Sequence, residues 1–138
     1  MKIYVIRNSE DNSLKDLGYL FYFTENMFYI ELPKDINEWE TPLILSSFVK
    51  KKQYTVGAYF TELWVQQRII PIDRQNLGQI LKDNNLKEYD EFQLLVLANG
   101  RCAQDEYYIT EISEDELPLE IKERLKNGKR FIPVLNNE

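Results

Sequence analysis

The sequence predicts an α+β fold, a small antiparallel sheet made from an N-terminal meander and one later strand, with several short helices. Three observations predict it. Runs rich in β-branched and aromatic side chains crowd the first 33 residues, with turn-forming residues between them. Apolar residues spaced i, i+3, i+4 take over after Gly57. One more β-rich run, residues 107–112, stands late in the chain. At 138 residues the chain suits one domain, which buries roughly two-thirds of its unfolded surface.

In order, Ile3, Tyr4, Val5 and Ile6 read as a first strand ended by the polar cluster 8–13. Residues 18–23 and 28–32 read as two more, joined by Thr24, Glu25, Asn26 and Met27. Pro33 closes the meander because proline lacks the ladder donor. Between 35 and 53 the signals conflict. Ile36, Trp39 and Leu43 have helical spacing but Pro42 interrupts them, so a short helical turn followed by an extended segment over 44–49 is expected.

Phe60, Leu63 and Trp64 then define one face of a short helix that stops before Pro71. Asp73 is placed to cap the next helix, with Leu77, Ile80 and Leu81 as its apolar stripe and Asn84 and Asn85 at its end. Asp90 is placed to cap a further segment, where Phe92, Leu95 and Val96 have helical spacing while 94–97 also reads as a buried strand. Asn99-Gly100 suits either a helix end or a hairpin turn. Ser113 and Glu116 form a capping box for a last helix, with Leu117, Ile121 and Leu125 on one face and Asn127-Gly128 at its end. An apolar tail over 131–135 follows.

Composition narrows function. A net charge of −6 disfavours phosphate neutralisation as the main activity, leaving Lys50, Lys51 and Lys52 as a local basic patch. One cysteine forms no internal disulfide and no basic-then-apolar leader opens the chain. No stretch approaches the roughly 18 apolar residues of a membrane span. A cytoplasmic protein without a membrane partner is expected.

The absence of histidine removes the commonest general base and the commonest nitrogen ligand for zinc. Cys102, beside Arg101, reads more simply as a buried or half-buried cysteine, and the carboxylate pairs at 90/91, 105/106 and 114–116 as caps and solvated faces. Phosphate-cradling glycine motifs and kinase catalytic motifs are missing, so neither an enzyme nor a cofactor is expected. Arg74, Gln75, Asn76 and Gln79 stud one helix with base-reading side chains, but the overall acidity argues against direct nucleic-acid contact. Trp64 is the candidate of most interest. It reads as core from its helix face, yet it begins the irregular connection 65–72, where a partly exposed ring next to Arg68 has the composition of an interface anchor. Solvent exposure separates the two readings.

Gly18-Tyr19-Leu20, Phe28-Tyr29, Thr41-Pro42-Leu43-Ile44-Leu45, Tyr59-Phe60, the segments 74–81 and 90–95, and the turn 100–103 follow one another in a recognisable order. That order resembles the N-terminal subdomain of HipA-type serine/threonine kinases over residues 1–112. The resemblance implies that 90–98 is helical; 113–138 is expected to add a C-terminal helix and tail packed on the same single domain. With no kinase motif in these residues, it implies a detached accessory lobe, a stand-alone HipS-like protein of a HipA-type toxin–antitoxin system.

Such a protein is a non-enzymatic, antitoxin-like partner that binds and inhibits a HipA-like (HipT-like) kinase encoded nearby, with a HipB-like DNA-binding protein as a further partner. Two alternatives are a required accessory subunit of a split kinase and a nucleic-acid-binding regulator. By the hot-spot argument the contact is expected at Trp64, Gln66, Gln67 and Arg68, with Arg74 beyond them. The chain departs from the family pattern at two loops. The Leu-Leu-Pro-like end of the short helix is Leu63-Trp64-Val65 here, and the Gly-Gly-Asp-Cys-type turn is Asn99-Gly100-Arg101-Cys102.

Overall fold

The computed structural model describes residues 1–24 and 27–128, so the expected apolar tail over 131–135 lies outside the described residues. Strands β1 (Lys2–Asn8), β2 (Gly18–Tyr22) and β3 (Phe28–Glu31) form the meander. β5 (Tyr107–Ile112) joins the free side of β1, and a two-residue β4 (Thr55–Val56) joins that of β3. The result is an antiparallel sheet of order β4-β3-β2-β1-β5, and with its helices an α+β fold.

The pleat sends alternate residues to opposite faces, and both faces are covered. Tyr4, Ile6, Leu20, Phe28, Ile30 and Ile109 belong to one face. Helices α1 (Leu43–Lys50), α2 (Ala58–Gln66) and α4 (Glu91–Leu97) pack there through Leu45, Val49, Trp64, Val65 and Leu95. Ile3, Val5, Tyr19, Phe21 and Tyr29 belong to the other, covered by Leu117, Ile121 and Leu125. Leu117 lies in the link after a 3-10 turn (Glu114–Glu116), and Ile121 and Leu125 lie in α5 (Leu119–Gly128). Burial on both sides is why the strands read as near-continuous apolar runs without polar alternation.

α5 is tied down by charge as well. The Arg124 guanidinium donates to the Leu32 carbonyl at 2.6 Å, to the Glu31 carboxylate at 3.1 Å and to Glu120. Glu31 is buried and also accepts the Thr55 hydroxyl at 2.8 Å. Burial raises its carboxyl pKa, more than the bonds from Thr55 and Arg124 lower it.

Several local expectations change. Residues 44–49 lie in α1 rather than in an extended segment, because Pro42 sits at the N-cap, where a missing N–H costs nothing. Leu45 and Val49 are then buried one turn apart. The buried stripe of α2 is Thr61, Trp64 and Val65, whereas Phe60 is exposed and meets Phe48 edge-on. Hydropathy misses that stripe because Thr61 is polar; its hydroxyl donates to the Val56 carbonyl at 3.2 Å. Helix α3 (Leu77–Asp83) is capped at Asn76, in the left-handed region at φ 68°, instead of at Asp73, and none of its residues is buried. The last helix breaks at Pro118: the Ser113 hydroxyl meets Glu116 at 3.2 Å across the 3-10 turn, and α5 starts beyond it.

The ambiguous run after Asp90 is helical. Asp90 accepts the Gln93 N–H at 3.1 Å, and Phe92 stacks on Tyr22 with 3.8 Å between ring centroids. Asn99 and Gly100 end α4 with both residues at positive φ. The Gly100 N–H donates to the Leu95 carbonyl at 2.9 Å and the Asn99 N–H to that of Val96 at 3.0 Å, a Schellman closure. Only glycine fits at position 100, since a Cβ there would lie 2.9 Å from Ile109 Cγ1.

Candidate docking surface

Trp64 has 0% exposure, which favours the core reading over a partly exposed interface anchor. The chain does not loosen after it: Val65 and Gln66 complete the helix and the Gln67 N–H still reaches the Leu63 carbonyl at 3.2 Å, so the side chain turns inward. Arg68 is buried beside it, its guanidinium 4.7 Å from the Trp64 ring centre. That guanidinium donates four hydrogen bonds: to the Gly100 carbonyl, twice to the Asp105 carboxylate (one at 3.0 Å), and to the Tyr107 carbonyl at 3.1 Å. A buried cation is tolerated only when satisfied in this way.

Burial pushes the Asp105 carboxyl up, but bonds from Arg68 and the Tyr107 N–H outweigh it and hold it below the ordinary carboxylate range. The same groups finish the outer edge of β5. Arg68 takes the Tyr107 carbonyl, Asp105 takes the Tyr107 N–H at 3.0 Å, and Asn99 takes the Ile109 N–H at 2.8 Å. Half of an edge otherwise open to strand addition is thereby closed. Arg68 is a structural residue, which corrects its assignment to a partner contact.

The other predicted contact residues are exposed but do not converge. Gln66 donates to Glu62 at 3.3 Å and borders a cleft of about 560 Å3 with Ile72, Tyr89 and Glu91. Gln67 borders a different cleft, and Arg74 lies in the turn before α3. On the outer side of α2, burial first, then the hydrogen bond to Glu91 and the charge of Glu91, raise the Glu62 carboxyl to about 7.

The cleft at Gln67 has a volume of about 800 Å3 and lies between the segment 38–46 and the loop 102–107. Trp39 and Leu43 stand on its rim at 88% and 90% exposure. The turn that carries Trp39 and leads to Leu43 is hydrogen-bonded. The Asn37 side chain accepts the N–H groups of Trp39 at 2.9 Å and Glu40 at 3.1 Å, Thr41 donates back to the Asn37 carbonyl at 2.9 Å, and Lys15 pairs with Glu40 at 3.0 Å. Across the cleft the Tyr107 hydroxyl donates to the Glu40 carbonyl at 3.1 Å, joining the two walls.

Neither Trp39 nor Leu43 stands among the residues the sequence singles out for contact. The available signal is Trp39 between Glu38 and Glu40, just before Pro42: acidic neighbours favour water and the proline denies the preceding residues a continuous helix.

Cys102 is half-buried in the same cleft, which Asp105 also lines. Among the described residues no cluster of three or more His, Cys, Asp or Glu side chains is arranged to hold a metal, and no helix is long and apolar enough to cross a membrane. The chain matches no family model, no curated protein and no solved structure in comparisons with known proteins.

Proposed function

We propose that this chain is a non-enzymatic binding protein, an antitoxin-like partner that docks on a HipA-type serine/threonine kinase and restrains it. The observation that carries the binding role is the Trp39–Leu43 pair, two large apolar side chains held in water by a hydrogen-bonded turn. Tryptophan is the residue most enriched at binding hot spots, and a rim already ordered loses little entropy when a partner covers it. The kinase as partner rests on the order of the motifs between Gly18 and Ala103. Within this reading the anchor is Trp39 rather than Trp64, and Gln67 is the one expected contact residue that borders the cleft.

Co-expression with a HipA-like kinase encoded nearby tests the proposal. The expected result is co-purification and restored growth, with kinase activity lower in the presence of the chain. Activity that instead requires the chain would make it an accessory subunit. If the pair neither co-purifies nor restores growth, the kinase assignment is wrong.

A further inference from the structure

The larger cleft has a chemical bias in its walls. Its apolar surface comes from Trp39, Pro42, Leu43 and Ile44, while its charged lining residues are Glu38 and Asp105, with no Lys or Arg among them. The Asp105 side chain remains 28% exposed while it binds Arg68, and the Arg68 side chain itself is 0% exposed. A visiting cation therefore meets carboxylate oxygen on the cleft wall, with the guanidinium shielded behind it. At about 800 Å3 the space suits a few side chains of a peptide segment.

Resting on the reading that the chain acts by contact, though not on which kinase it meets, we propose that this cleft accepts a cationic, apolar-tipped segment of a partner protein. A leucine- or phenylalanine-sized side chain enters between Trp39 and Leu43, and a neighbouring Lys or Arg meets Glu38 and the exposed side of the Asp105 carboxylate. A second copy of this chain is a poorer occupant. Two-fold contact would set one acidic cleft against another, on a protein already carrying a net charge of −6.

The test is selection of phage-displayed random peptides on the immobilised full chain, followed by titration of synthetic survivors against the chain and its variants. Survivors are expected to pair an aromatic or aliphatic side chain with Lys or Arg. Their affinity should fall about tenfold or more in Trp39→Ala and in Leu43→Ala, which lose exposed side chains and so keep the fold. It should fall several-fold in Glu38→Lys and weaken with added salt. No survivors, acidic or uncharged survivors, or binding unchanged in Trp39→Ala would each overturn the proposal. So would a dimer on size exclusion that Trp39→Ala dissociates, since the cleft would then belong to a second copy. A chain that captures such peptides but ignores the kinase keeps this cleft and loses the kinase assignment; one that binds the kinase by another face does the reverse.

Discussion

Trp39 and Trp64 are the same side chain put to opposite uses. Trp64 is sealed beneath Arg68 between α2 and the sheet, while Trp39 stands in water on a turn whose own backbone is held by the nearby Asn37 and Thr41. The contrast shows that an aromatic next to an arginine is not by itself an interface. Arg68 finds its partners, Gly100, Asp105 and Tyr107, more than thirty residues away, and those contacts draw both side chains inward.

The largest effect expected from breaking this contrast is in Trp64→Ala, which removes a fully buried ring. Urea denaturation should show a loss of about 3–5 kcal/mol, enough to unfold much of the protein at 37 °C. A loss below about 1 kcal/mol would mean that the ring is not packed as described.

Arg68→Ala comes next, at about 3 kcal/mol, because Asp105 is left charged and half-buried and two carbonyls lose their donor. Arg68→Lys should recover only part of it, since an ammonium group lacks the planar fork. Full recovery in the lysine variant would reduce Arg68 to a simple counter-charge.

A smaller effect belongs to the outer side of the same helix. The Glu62 carboxyl lies at about 7 in the folded chain against an ordinary 4.5, so the folded state binds the proton more tightly. This contribution is complete below the unfolded value and is lost as pH rises through about 7. Allowing for solvent screening at a half-exposed pair, stability should drop on the order of 1 kcal/mol over that window. Glu62→Gln, which donates to Glu91 at every pH, should flatten the drop when denaturation midpoints are compared on either side of neutrality.

Trp39→Ala sharpens the comparison from the other end. Stability should stay within about 0.5 kcal/mol of the parent, because an exposed side chain has little packing to lose. Partner binding should suffer instead. A stability loss comparable to that of Trp64→Ala would place Trp39 in the core and remove the docking surface.

Much of the frame was legible in sequence. The three strands of the meander, the strand at 107–112, the Asp90 cap and the break at Asn99-Gly100 all lie where their residues suggest. The candidate site was not. Thr61 and Arg68 look like the wet side of a helix, yet both are buried. Pro42 looks like the end of a helix, yet it begins one.

The division has a physical reason. A cap, a positive-φ turn or a β-branched run acts through atoms a few residues apart, so local chemistry settles it before the chain is compact. Which of two tryptophans faces water, and whether an arginine is paid for in the core, depends on groups brought together from distant segments. Gly100, Asp105 and Tyr107 had to arrive beside α2 before Arg68 could be buried, and the cleft at Trp39 exists only once the loop 102–107 stands across from it.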